Sequence, residues 1–524
     1  MLSLIDIVVL VVYLASVVGL GCWFVRRSRN TGEFMAAGGR LPGWAVGLSI
    51  FGTYLSSNTF IGVPGKSFAG NWNAFVFSLS LPLAAWIATR FFVPFYRKNG
   101  EISAYQHLER RFGAWARTYA MVCYLLTQVA RTATILFGVS LALTALTGWP
   151  QPLVILIAGF VVTLYTLLGG IEAVIWTDVI QSVVLTIGAI VVVFALVMGV
   201  PGGWGEIHSI AQSHDKLSLG SMGWSLSTST FWVVLIYGIF INLNNFGIDQ
   251  SFVQRYQTAK SDSAANRSVW MGAWLYLPIS AVFFFIGTGL FAYYETRPED
   301  IAELKLQVAA KQLAEEVRRP LGELNASDIQ ARANELKVED LGDRVFPFFL
   351  VNVLPVGMTG LLIAALVAAA MSSIDTSLNS SATVLLTDFY QRFLRPNAGE
   401  RESMIILYGA TLLVGVAGTT AALAMLGIDS ILDAWWSLSG MFAGGMLGLF
   451  LLGVFARSST GRGAIVGVAS GVAVIAWMTF SPVLDLPEGL KNHLHTNLTI
   501  VIGTLTIFTI GVVASRLMRR DPTR

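Results

Sequence analysis

Residues 47–68 read GLSIFGTYLSSNTFIGVPGKSF. The stretch is apolar enough to enter a bilayer, yet Gly47, Gly52, Gly62, Pro64 and Gly65 interrupt it, and the polar run TYLSSNT fills 53–59. Hydroxyls and amides at membrane depth are costly unless they pair internally or face a cavity. A second apolar stretch, 228–253, carries the run NLNNFG at 242–247. The two interrupted stretches open two successive groups of five apolar spans. Paired broken segments in corresponding halves are the sequence mark of an inverted-repeat membrane carrier with its binding site at the breaks.

The rest of the chain agrees with a membrane protein. Of 524 residues 55% are hydrophobic and 12% charged, about half the charged share of a soluble domain. Thirteen spans are expected, at 4–25, 43–69, 74–97, 118–147, 152–170, 178–199, 228–253, 268–292, 345–373, 403–427, 430–455, 462–482 and 494–516. A short helix over 376–394 is placed near the inner surface. The whole chain, 1–524, forms one transmembrane domain. Its core repeats are expected at about 43–199 and 228–455, with accessory helices 4–25, 462–482 and 494–516. Arginine and lysine concentrate after odd-numbered spans: Arg26, Arg27, Arg29 and Arg40; Arg97, Lys98, Arg110, Arg111 and Arg117; Arg255, Lys260 and Arg267; Arg392, Arg395 and Arg401; Arg457 and Arg462; Arg516, Arg519, Arg520 and Arg524. The positive-inside rule makes that side cytoplasmic, with the N-terminus outside and the C-terminus inside. The insert 293–343 is amphipathic helix interrupted near Pro320 and Gly322, read as a helical cap outside the membrane or a docking surface for a partner. The first apolar run is followed by arginines rather than a small-residue cleavage site, so no cleavable signal peptide is expected.

The net charge of +3 gives no reason to expect a nucleic-acid partner. Cys22 and Cys123 sit in apolar runs and read as small buried hydrophobes. His493 and His495 lack a neighbouring acid or cysteine to complete a metal site, and the sequon at Asn325 carries little weight by itself. With no P-loop, no GxSxG and no CxxC pair, neither an ATP-driven pump nor a membrane hydrolase is expected, and the chain is read as a non-enzyme. The strongest polar signal is AAAMSSIDTSLNS at 368–380. On a helix Ser372, Asp375 and Thr376 share a face. Hydroxyls, a carboxylate and the Ala369 carbonyl are oxygen ligands suited to a hard cation such as sodium; the alternative is interhelical hydrogen bonding by serine and threonine. Asp178, in GGIEAVIWTDVIQS, is a membrane carboxylate and so a candidate site residue, with an interfacial helix cap as the alternative. Arg131 lies mid-span. Its guanidinium demands an anion, a structural acid or several carbonyls.

These residues resemble the sodium:solute symporter family over nearly the whole chain. The likeness rests on 47–68, on TLLGGIEAVIWTDVIQ at 167–182, on DQSFVQRYQTAKS at 249–261, and on 368–380 followed by TDFYQR at 387–392. The wording is nearest to bacterial sialic-acid symporters, with sugar carriers behind. The resemblance implies an all-helical LeuT-type inverted repeat. It implies a first sodium site from the carbonyls of Gly52, Leu55 and Ala369 and the hydroxyls of Ser372 and Ser373. A second sodium site in some members corresponds to Asp178 with Ser372, Asp375 and Thr376, although sialic-acid carriers have serine where Asp375 stands. An extra carboxylate there could tighten sodium or take a proton. For the solute, Arg131, Ser56 and Thr59 match the carboxylate-binding positions of those carriers. Tyr54 stands in place of a threonine and Ser78 in place of a glutamine. Asn242 keeps a sugar carrier's asparagine, and Asn245 replaces its gating tyrosine.

The expected function is sodium-coupled uptake of a small polar solute, a sugar or sugar acid such as sialic acid, by alternating access across the inner membrane. The expected partners are the sodium ion, the solute and the lipid bilayer, with no obligate protein partner. A neutral monosaccharide or monocarboxylate carrier is the alternative within transport. A transporter-like solute sensor is the alternative outside it.

Overall fold

The structure, a computed structural model, describes residues 3–25, 30–317, 324–355, 357–428, 430–482, 484 and 487–519. Arg26, Arg27, Arg29, Pro320, Gly322, Arg520 and Arg524 lie outside the described residues, as do the side chains of Cys22 and Arg519. The described residues form helices joined by turns and loops; the only sheet-like pairing among them is an isolated bridge between Leu41 and Ala259. Ten helices among them are long and apolar enough to cross a membrane.

The chain begins with α1 (Leu4–Val25) and reaches the first interrupted segment as α2 (Gly43–Tyr54). Leu55 is extended, at φ −91° and ψ 112°. The chain then re-enters helix through a wide turn, Asn58–Gly62, into α3 (Val63–Ala69). The break expected at 53–59 is therefore present. α4 (Trp72–Asn99) and α5 (Ala114–Thr147) follow. Spans 152–170 and 178–199 are joined differently from the expected loop. One helical stretch, α6 (Gln151–Gly199), covers both, turning at Gly170 with φ 61° and ψ −175°. A side chain at that positive φ would be strained, so glycine compresses the connection to one residue. Asp178 consequently lies two turns into the second half of α6 and is fully buried.

The second interrupted segment breaks later than the sequence suggests. NLNNFG stays inside α7 (Phe231–Ile248), and the chain leaves helical geometry at Asp249 before α8 (Gln250–Thr258). The Asp249 carboxylate accepts the Ser251 backbone N–H at 2.8 Å and caps α8. The cap stabilises the restart of the helix, whereas the asparagines at 242–245 keep their backbone bonds and use their side chains outward. α9 (Asp262–Glu295) spans next. The insert follows as α10 (Pro298–Val317) and α11 (Ala326–Glu335), two helices as its composition implies.

The expected span 345–373 and the separate helix 376–394 are both redrawn. α12 (Gly342–Asn352) is short and ends before Pro355. A single helix, α13 (Met358–Val384), runs on through Leu385–Leu394. Nothing between 358 and 394 breaks a helix, so 376–394 continues the span, and Ser372–Ser380 lie mid-helix rather than at an end. The last four helices are α14 (Glu400–Ala424), α15 (Ile431–Phe455), α16 (Gly461–Phe480) and α17 (Leu498–Arg519). One contiguous apolar core packs α2, α3, α5, α6, α7, α9 and α13 around the two breaks.

Candidate sodium and solute site

α13 meets the first break side on. The Ser373 hydroxyl donates to the Leu55 carbonyl at 3.3 Å, an oxygen left without its helical partner by the extended residue there. Leu55 N–H in turn donates to the Gly52 carbonyl at 3.0 Å. Gly52 packs so tightly that a Cβ there would lie 2.8 Å from Ser182 Oγ and 3.2 Å from Ser372 Oγ. Ala369 is buried one turn before Ser373 on the same face of α13. Gly52, Leu55, Ser372 and Ser373 therefore converge, with Ala369 one turn away on the Ser373 face of α13, and the oxygens they offer are all carbonyl or hydroxyl.

A second cluster adjoins it. The Asp178 carboxylate accepts hydrogen bonds from the Ser49 and Ser372 hydroxyls. It also pairs with Arg255, whose Nη2 lies 3.0 Å from Asp178 Oδ2. The same Nη2 donates to Thr376 Oγ1 at 2.7 Å, Nε to Ser49 Oγ at 2.8 Å, and Nη1 to the Ser251 carbonyl at 2.7 Å. Arg255 counts as a cytoplasmic loop charge in the sequence, but it is completely buried. Burying a guanidinium and a carboxylate is tolerable only with this degree of pairing. Asp178, Ser372 and Thr376, expected to ligate a second sodium ion, are thus drawn together around a guanidinium. Asp375 is also fully buried, and its carboxylate accepts the Thr376 backbone N–H at 2.6 Å.

On the other side of the break lies a cavity of about 90 Å³. Tyr54, Ser56, Thr59, Ser78, Arg131 and Asn245 all line it. The Arg131 guanidinium donates to the Thr53 carbonyl through Nη2, which fixes it against the last turn of α2. Thr59 Oγ1 donates to the Tyr54 carbonyl at 3.0 Å and stands 3.4 Å from the Ser56 N–H, which it can accept. Ser78 and Ser280 share a hydrogen bond of 2.7 Å. Asn242 stands behind the wall. Its Oδ1 accepts from Tyr54 at 3.0 Å and its Nδ2 donates to Ser80 at 3.0 Å. It therefore positions Tyr54 instead of facing the cavity.

Four further residues shape the cavity and are invisible as site residues in the sequence. Asp249, the cap of α8, also lines it, held by the Gln128 amide at 3.3 Å. Phe77, Tyr237 and Trp436 line it as well, and their ring centroids lie 6.0, 5.8 and 5.1 Å apart in pairs. The three rings pack against one another in the cavity wall. They come from α4, α7 and α15, and no local pattern links them.

Comparison with known proteins places this geometry in context. The model of a family described as the sodium:solute symporter family matches residues 34–471. The sodium/sialic acid symporter NanT of Aliivibrio fischeri is 32% identical over 508 residues, covering 95% of this chain and 92% of that protein. The solved structure of a Na+-coupled sialic acid symporter, in a substrate-bound outward-open state, superposes with a TM-score of 0.83 at 30% identity, covering 98% of each chain. The fold extends to Mhp1, a nucleobase-cation-symport-1 family transporter, at 16% identity and a TM-score of 0.53, over 94% of this chain and 96% of that one. The two broken segments are thus those of the LeuT-type inverted repeat.

Proposed function

The chain belongs to the sodium:solute symporter family, and from that premise we propose that it imports a carboxylate-bearing sugar acid, of which sialic acid is the first to test. It is a multi-pass membrane protein that couples sodium to solute. In this reading the membrane is the cell's inner membrane, the N-terminus faces outward and the insert lies outside. The observation that carries the substrate is Arg131, pinned by the Thr53 carbonyl in the wall of the cavity beside Ser56 and Thr59. Among the described residues it makes no ion pair, although the Asp249 carboxylate lines the same cavity and acts on it electrostatically. A guanidinium with spare donors, flanked by two hydroxyls, suits one carboxylate. Tyr54, Ser78 and Asn245 read the remainder of the solute, and Asn242 holds Tyr54 in place.

The first sodium ion sits among Gly52, Leu55, Ala369, Ser372 and Ser373. Its charge attracts the carbonyls freed at the break and draws α2 and α13 together. That closure sets Ser56 and Thr59 for the solute, and the coupling is reciprocal. A second cation at Asp178, Ser372, Asp375 and Thr376 must displace Arg255 from Asp178 and Thr376 first. The difference matters energetically. One charge crossing 100 mV contributes about 2.3 kcal/mol, and a tenfold sodium gradient about 1.4 kcal/mol per ion. One sodium ion with one monoanion moves no net charge and supports roughly tenfold accumulation. Two sodium ions give about 5 kcal/mol and roughly a few thousandfold.

A second reading has one observation behind it. Asp249 lines the same cavity as Arg131, and a carboxylate there suits the hydroxyls of a neutral sugar better than an anion. Uptake of radiolabelled sialic acid and of glucose into proteoliposomes, with and without an inward sodium gradient, separates the two. Sodium-driven uptake of the acid supports the first reading. Uptake of glucose alone replaces it with the second.

A further inference from the structure

A second cavity, of about 360 Å³, lies where α10 of the insert covers α12 and the turn joining α5 to α6. It is larger than the central cavity and falls in the range of small-ligand pockets. Lys311 and Arg344 bring two positive charges to its wall, and among the described residues that line it none is acidic. Thr144 and Gln151 add polar groups, and Leu304 and Phe348 add apolar ones. Two of the lining groups are incomplete. Thr144 Oγ1 and Arg344 Nη1 are buried with no hydrogen-bond partner among the described residues. Orphaned buried donors are rare in native proteins and usually mark a missing water, ion or ligand. Here one orphan is a guanidinium nitrogen, which can only donate.

We propose that this cavity binds a small carboxylate-bearing anion with an apolar or sugar-like body. Arg344 and Lys311 hold the carboxylate, Thr144 donates its hydroxyl, and the carbon skeleton rests on Leu304 and Phe348. The site is separate from the central cavity, and it gives the insert 293–343 a role as one wall of a binding site. It needs no assumption about the cargo. A lipid headgroup shares the same chemistry, but one side of the cavity is the insert helix α10 rather than a membrane-crossing helix, which suits a soluble anion.

The test uses the purified full-length chain carrying Arg131→Ala, which removes the central anchor. Equilibrium binding of radiolabelled N-acetylneuraminate is measured, with N-acetylmannosamine as the neutral competitor and phosphatidylglycerol vesicles as the lipid competitor. The expected result is one saturable site that the neutral sugar does not displace. Lys311→Gln should weaken it about tenfold, with Lys311→Arg retaining it. Lys311 is exposed, so that variant does not threaten folding, and Arg344→Gln supplies a second loss. Unchanged binding in both glutamine variants overturns the proposal, as does the absence of any saturable site. Displacement by the vesicles overturns it in favour of a lipid site. Sodium-driven uptake by the unaltered chain is followed in parallel, so failure of the transport reading shows separately.

Discussion

Arg255 and Asp178 form a fully buried ion pair, Nη2 to Oδ2 at 3.0 Å, that joins the helix after the second break to the middle of α6. Because Arg255 also bonds Ser49 and Thr376, it ties together α2, α6, α8 and α13. Two of those elements precede residue 200 and two follow residue 249, so on the proposed reading the pair ties together segments of both expected repeats.

Removing one partner leaves the other as an uncompensated buried charge, at a cost of about 3–5 kcal/mol. Asp178→Asn and Arg255→Gln should therefore each lower the thermal unfolding midpoint strongly. The double variant should recover much of the loss, since neither charge remains. Fluorescence-monitored unfolding of the four proteins measures the coupling. Additive losses would mean that the two residues act apart.

Ser373→Ala removes one hydroxyl from the first sodium site and the link to the Leu55 carbonyl. A neutral hydrogen bond or one ion ligand is worth about 1 kcal/mol, so the sodium concentration for half-maximal uptake should rise about fivefold. Sodium activation curves at saturating solute give the value. An unshifted curve removes Ser373 from the site.

Gly52→Ala should be harmful in this chain because the new Cβ meets Ser182 Oγ at 2.8 Å. Pairing it with Ser182→Ala removes that oxygen and should restore most of the sodium affinity. The carbonyl of residue 52 is unchanged by either substitution, so rescue would show that space alone requires glycine here. If the double variant stays as weak as Gly52→Ala, the cause lies in the backbone.

How far the sequence could be read depends on whether the signal is local. The break at 53–59 is legible because polar side chains and Pro64 fall inside an apolar run, and burial has a cost that sequence alone registers. Ser372 and Thr376 are legible as one face of a helix. Arg255 is not, because an arginine in QRYQ after a span reads the same whether solvated or buried. Only the tertiary approach of Asp178, Ser49 and Thr376 decides it. The break at Asp249 is displaced from the asparagines for a related reason. A capping aspartate and a run of amides look alike in composition, and the backbone chooses the residue whose carboxylate reaches the N–H two residues on. The ring trio of Phe77, Tyr237 and Trp436 leaves no trace in any single segment.

Arg131→Ala should abolish uptake of a sugar acid while sparing any neutral solute. Arg131→Lys should retain part of the acid uptake, because one charge remains without the paired donors of a guanidinium. Initial rates for an acid and its neutral analogue, in the same proteoliposomes, give the ratio. Equal losses for both would make Arg131 a structural residue that holds Thr53.

The central cavity, at about 90 Å³, is smaller than small-ligand pockets of roughly 300–1,000 Å³. A sugar acid is several times larger, so binding it is expected to require the wall to move. The trio of Phe77, Tyr237 and Trp436, three rings from three helices with centroid separations of 5.1–6.0 Å, is the part of the wall expected to move. Each ring pair contributes about 0.5–1.5 kcal/mol beyond its buried area. Trp436→Ala removes two of the three pairs, so the population with an open cavity should rise about tenfold or more. Ser439 lines the cavity next to the trio. In a background with Cys22 and Cys123 replaced by alanine, Ser439→Cys should react slowly with a membrane-impermeant thiol reagent. Adding Trp436→Ala should speed the reaction by that factor. An unchanged rate would show that the rings pack there without closing anything.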